Sequence, residues 1–454
     1  MDFSSANTAL WNGVIQFGII AGIILVANLL RRKIPFIRKS LMPTAVLGGF
    51  LLLLLRSVNI LSVDVALFET VTYHALALGF IALSLRIGGK ESASGGLVGG
   101  KSGALIVSTY LVQAIVGLMI SLLLAYTVMP GLFKASGVLL PMGYGQGPGQ
   151  ANNVGTTYEA LGMVGGRSFG LSLAAAGYLC ACAVGVVFLN VYNRRGLLAR
   201  QDEKKELSGS VTVDAFQDEN EIPISQSIDR FSVQLALVVL VYLLTYLVTW
   251  GVSSLLLAVA PGVAATVNTL LWGFNFIVGS LIALGCKALF KGLRSVKLMT
   301  RQYQNNYLLS RISGVAFDVM IVAGIASINI DDLTGYWLPF LLMAVLGGAV
   351  TFVYLKWLCK RVYPDYPQEA FFSMFGMLTG TISSGVLLLR EIDPEFKTPA
   401  ANNLITGSSF GIAFGAPVLL LVSVAPESPV LTVGLAALYL ALLLVFLLKV
   451  KKKK

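Results

Sequence analysis

Met142-Gly143-Tyr144-Gly145-Gln146-Gly147-Pro148-Gly149-Gln150-Ala151-Asn152-Asn153 sits between hydrophobic flanks, yet it cannot hold a helix. Alternating glycines are followed by a Pro-Gly pair. In a helix interior each glycine costs about 1 kcal/mol and the proline about 3 kcal/mol. The break leaves backbone N–H and C=O groups unpaired, which lipid does not tolerate unless protein or ligand satisfies them. A helix that starts at such a break offers N–H donors and partial positive charge to a carboxylate. Free carbonyls and the amides of Asn152 and Asn153 suit a small hard cation. A plain external loop is the competing reading, and the apolar flanks at 138–140 and at Met163-Val164 argue against it.

The rest of the chain says what solvent this break lives in. Of 454 residues, 56% are hydrophobic and 12% charged, against about 25% charged in soluble domains. The expected fold is an all-α membrane protein with eleven transmembrane helices over 10–30, 41–56, 69–86, 103–128, 168–192, 231–250, 265–286, 308–328, 337–357, 400–424 and 429–448. Each span needs about 20 apolar residues. The net charge of +11 does not point to nucleic acid, because the Lys and Arg residues cluster between apolar runs, as in cytoplasmic loops. Cys180, Cys182, Cys286 and Cys359 lie in or beside apolar runs without zinc spacing. The first ten residues lack the basic start and small-residue site of a cleaved signal peptide.

Basic loops set an expected orientation. Arg31, Arg32, Lys33, Arg38 and Lys39 place the loop after the first span inside and the N-terminus outside. Asp64 and Glu69 fall outside, and Arg86, Lys90 and Lys101 inside. Arg194, Arg195, Arg200, Lys287 and Arg301 are inside, Asp331 and Asp332 outside, and Lys360, Arg361 and the terminal lysines inside. The count closes only if 138–162 and 370–390 enter and leave on one face each. The first is then re-entrant from outside and the second from inside. The expected organisation is a first repeat over 1–192 with hairpin 138–162, a polar cytoplasmic linker at 193–230, and a second repeat over 231–424 with hairpin 370–390. An additional C-terminal helix and a Lys-rich tail occupy 425–454.

Weak internal similarity supports two inverted five-helix repeats. Ser168-Phe169-Gly170-Leu171 returns as Ser409-Phe410-Gly411-Ile412, Gly145 and Gly149 as Gly376 and Gly380, and Ile81-Ala82-Leu83-Ser84 as Ile325-Ala326-Ser327-Ile328. Inverted repeats with discontinuous helices are a recurring plan of secondary transporters. Candidate substrate-binding residues are Gly143, Tyr144, Gly145, Gln146, Gly147, Gly149 and Gln150 in the first break. In the second they are Thr379, Gly380, Thr381, Ser383 and Ser384, whose hydroxyls bind either a ligand or only their own backbone. Candidate sodium ligands are Asp318, the only carboxylate well inside an expected span, with Asn152 and Asn153. His74, the only histidine, is equally an interfacial residue or a site residue. Arg167, Arg390 and Glu391 flank the hairpins as anion ligands or membrane-edge anchors.

These residues resemble the bacterial sodium/glutamate symporter family, as a divergent member. The resemblance rests on Pro43, Val46, Gly48 and Gly49 opening the second span, a basic end to the third, and Gly-rich hairpins in opposite halves. It implies symport of an acidic amino acid such as glutamate with sodium as coupling ion, and no cofactor beyond it. It also implies an elevator-type cycle, a homodimer and a bacterial inner-membrane location. A proton-coupled carboxylate carrier is the main alternative, since Asp318 serves either ion. An anion channel would need a selectivity ring. An intramembrane enzyme would need a catalytic constellation, and no catalytic residue is expected here.

Overall fold

The computed structural model describes residues 2–87, 92–194, 224–299, 303–393 and 398–449. Most of the expected linker 193–230 lies outside these residues, with Arg195 and Arg200, as do Lys90, Arg301 and the lysines at 451–454.

The described residues form helices and no strand. In chain order these are α1 (Thr8–Lys33), α2 (Pro35–Lys39), α3 (Thr44–Ser57), α4 (Val65–Leu85), α5 (Ser92–Tyr126), α6 (Pro148–Ala160), α7 (Gly166–Arg194) and α8 (Ile224–Val259). They continue with α9 (Pro261–Gly273), α10 (Asn275–Ser295), α11 (Asn306–Ala326), α12 (Trp337–Val362), α13 (Pro367–Thr379), α14 (Ile382–Arg390), α15 (Ala400–Val424) and α16 (Pro429–Lys449). The protein is an all-α, multi-pass membrane protein. Nine described helices are long and apolar enough to cross a bilayer, and a tenth is α15, bent by 47°.

The eleven expected runs differ from this in three places. The second run is α3, a 14-residue helix. The run 400–424 is the bent α15. The run 265–286 is not one helix: it is divided at Phe274 between α9 and α10. Glu69, expected in a loop, lies in the first turns of α4 and pairs with Arg167 at 2.6 Å.

Local signals account for the element starts. The Asp64 carboxylate accepts from the Leu67 N–H at 3.1 Å to open α4, and the Asn305 side chain does the same for Leu308 at 3.0 Å to open α11. Pro148 and Pro367 occupy the first positions of α6 and α13, where a missing N–H costs nothing. α8 turns Val239, Leu240 and Leu243 outward, the composition a lipid-facing surface requires.

Two antiparallel pairs form the middle of the bundle. In α4 and α11, Gly79 faces Phe317 while Gly324 faces Thr72. In α5 and α12, Gln113 meets Thr351 at 2.9 Å and Ser102 meets Tyr363 at 2.7 Å. Into this frame enter two hairpins. The first descends along α5 as a 3-10 turn (Lys134–Val138) and a π-helical turn (Pro141–Gly145), with Ser121 donating to the Lys134 carbonyl at the mouth. It returns as α6 along α7, with Ala151 beside Gly170 and Gly155 beside Arg167. The second is α13 folded back on α14, with the Gly376 and Gly385 backbones in contact. Its mouth lies near Tyr363, at the end of α5 that carries Ser102. The hairpins therefore enter from opposite ends of the bundle. At about 1.5 Å per residue, the 13-residue α6 and α13 reach roughly 20 Å, too short to cross alone.

Of the internal similarities, Ile81–Ser84 and Ile325–Ile328 fall in corresponding places, at the C-terminal ends of α4 and α11, and the other two do not. Ser168 lies in the first turn of α7, whereas Ser409 lies at the bend in the middle of α15. Gly376 is inside α13, while Gly145 closes the π-helical turn.

Candidate functional site

The two breaks meet. Gly147, at φ +89, is the turn between the π-helical arm and α6, a conformation in which a side chain is strained. A Cβ there would lie 3.6 Å from the Tyr178 hydroxyl and 4.0 Å from the Gly380 carbonyl oxygen. On α7, Gly177 lets both breaks close in: an added Cβ would collide with the Thr379 carbonyl oxygen and lie 3.3 Å from the Tyr144 Cα. Both tips thus rest on one turn of α7.

Two helices begin at this point. α6 has Gly147 as its N-cap with no side-chain cap, so the Gly149 and Gln150 N–H groups find no acceptor among the described residues. In α14 the Thr381 hydroxyl accepts from the Ser384 N–H at 3.4 Å, leaving the Ile382 and Ser383 N–H groups free in the same sense. Two helix N-termini near a common point make a positive focus for an anion. Beside them Tyr178 is 1% exposed, and its hydroxyl has no hydrogen-bond partner among the described residues. A buried hydroxyl without a partner costs about 1–3 kcal/mol, a cost a bound ligand would relieve.

Among the described residues, buried oxygens on α5 and α6 lack hydrogen-bond partners. Gln113 on α5 is fully buried; its Nε2 donates to Thr351 Oγ1 and to the Leu378 carbonyl, each at 2.9 Å. Its Oε1 has no partner and faces Gly145. It thereby touches both breaks. The Gln150 and Asn152 side-chain oxygens are likewise buried and unpartnered. Asn153 Nδ2 donates to the Gly273 carbonyl at 2.7 Å, where α9 ends, which fixes the amide orientation and leaves its Oδ1 free. Such neutral oxygens are ligands for a hard cation.

The sequence candidates separate accordingly. Tyr144, Gly147, Thr379 and Gly380 come together on α7. Gly143 packs against Leu173 and Ala174, and Gly149 between Leu76 and Met320. Gln146 is half-buried beside the break, Ser384 is buried under Gly380, and Ser383 is exposed. The Tyr144 hydroxyl is committed to the Ala344 carbonyl at 2.5 Å. Asp318, midway along α11, is exposed. It lies within electrostatic range of Tyr178. No hydrogen bond among the described residues joins it to Asn152 or Asn153. His74 sits apart, 2.6 Å from the Tyr242 hydroxyl; Arg167 is held by Glu69.

Gln113 and Tyr178 are absent from the sequence reading. Their only signal is a polar group inside the runs 103–128 and 168–192. Among the described residues no group of three or more His, Cys, Asp and Glu side chains comes together. No protein-family model matches this chain, and a search of curated proteins finds no match.

Proposed function

We propose that the protein is a secondary active transporter that carries a small organic anion, an acidic amino acid such as glutamate, together with sodium. The observation that carries this reading is the meeting of two broken helices from opposite ends at Gly147 and Gly380, beside the unpartnered Tyr178 hydroxyl. The α6 and α14 N-termini hold the carboxylate. Asp318, Asn152, Asn153 and carbonyls at the breaks hold sodium, with Gln113 Oε1 as a further oxygen. The protein works as a homodimer in the bacterial inner membrane, N-terminus outside and C-terminus cytoplasmic, and cycles by an elevator-type movement.

Magnitudes explain why cation and anion must be coupled. Inward movement of an anion against a negative interior is opposed by about 2.3 kcal/mol per charge per 100 mV. Cotransported cations cancel that charge, and a tenfold sodium gradient adds about 1.4 kcal/mol per ion. The anion site must therefore stay poor until cations bind, a reciprocal coupling.

The test is uptake of labelled acidic amino acids into proteoliposomes, with sodium and pH gradients imposed separately, for wild type and Asp318→Asn. The expected result is sodium-driven uptake whose sodium dependence flattens in the variant. Uptake indifferent to sodium but driven by a pH gradient assigns proton coupling instead. Superimposable sodium titrations remove Asp318 from the cation site.

A further inference from the structure

Two cavities join on the outer face of α12. One, of about 510 Å³, is an apolar groove between α5 and α12, walled by Val112, Ala349, Val350 and Tyr354. The other, of about 640 Å³, is walled by Phe352, Lys356, Lys360 and Arg361. Val353 and Trp357 line both, so the groove runs without interruption into a basic end. Among the described residues, no carboxylate lines either cavity.

Two of the three cations rest on aromatic rings. Lys356 Nζ lies 4.9 Å from the Phe188 ring centre, and the Arg361 guanidinium 4.4 Å from that of Trp357. Both charges rest on aromatic faces in the last two turns of α12. From Ala349 to Trp357 the groove follows α12 for roughly 12 Å at 1.5 Å per residue. One leaflet of hydrocarbon is about 15 Å deep, half of the 30 Å core. An apolar channel of leaflet depth ending in three cations and a tryptophan matches one molecule above others. A second copy of this chain fits poorly, because a two-fold contact here would set three cations against three.

We propose that this groove is a binding site for one anionic phospholipid. An acyl chain lies along Val112, Val350 and Val353, and the phosphate is held by Lys356, Lys360 and Arg361. The site is independent of the transport reading.

The full chain is reconstituted in nanodiscs containing equal phosphatidylglycerol and phosphatidylcholine, re-extracted, and the co-purified lipid counted by native mass spectrometry. Wild type retains phosphatidylglycerol preferentially. The triple variant K356Q/K360Q/R361Q loses that preference roughly tenfold or more, at about 1 kcal/mol per cation. The control K33Q/R38Q/K39Q, which removes equal charge at the end of α1 and in α2, keeps it. Val353→Trp fills the groove with the charges intact, so it must also lower retention and guards against a triple variant that fails to fold. A wild type without preference, a control that loses it equally, or a Val353→Trp protein that retains lipid as wild type does would each overturn the site.

Discussion

In the first hairpin the arm leading to the break is a 3-10 turn and a π-helical turn, buried at every residue of Pro141–Gly145 and ending in a positive-φ glycine without a cap. In the second, two regular helices flank the break, Thr381 caps the outgoing one, Thr381 and Ile382 are half-buried, and Ser383 is exposed. The first break is shaped by backbone packed on α5 and α7. The second is shaped by a hydroxyl near open space. A helix can thus be stopped inside a membrane bundle in two ways, and the glycine-built one gives up adaptability for precision. On this contrast the first tip is the fixed wall of the site and the second the yielding one.

Three substitutions test that contrast in thermal unfolding of the purified protein. The largest effect is expected for Gly177→Val, which pushes side-chain atoms into the Thr379 carbonyl and the Tyr144 backbone. Overpacking against backbone should cost about 3 kcal/mol or more. If Gly177→Val melts like wild type, the tips do not rest on α7 as described. Next comes Gly147→Ala, which forces a side chain into a backbone conformation, φ +89 and ψ −175, that is essentially glycine-only and should cost about 1–3 kcal/mol. The smallest is Thr381→Ala, losing a long cap bond, at about 0.5–1 kcal/mol, with Thr381→Ser recovering most of it. Were Thr381→Ala to cost more than Gly147→Ala, the assignment of fixed and yielding tips would reverse.

Much of this was readable from residues alone, and the reason is local chemistry. Alternating glycines with Pro148 break a helix in any context, so the first break could be placed from sequence. Long apolar runs identify membrane helices equally directly. The division at Phe274 was not readable, because the apolar pattern runs through it and only Gly273 hints at an end. The match of Ser168–Leu171 with Ser409–Ile412 misleads for the opposite reason. Ser, Gly and Ala recur wherever helices pack closely, so their likeness reports packing density and not equivalence of place. Tyr178 and Gln113 became visible only once the fold set a hydroxyl beside Gly147 and an amide between Gly145 and Leu378. Asn153 changes meaning in the same way: half of its amide is spent on the Gly273 carbonyl.

The short α3 carries one more consequence. Its 14 residues rise only about 21 Å, roughly 9 Å less than the hydrocarbon around it. At its last turn Arg56 is tied to the Ala326 and Ile328 carbonyls at 2.9 and 3.1 Å, so the end of the helix is pinned to α11 and cannot lean outward to make up the length. The lipid has to do so instead, dimpling beside α3 at a cost of a fraction of a kcal/mol per Å. Thinner bilayers match this flank and thicker ones strain it.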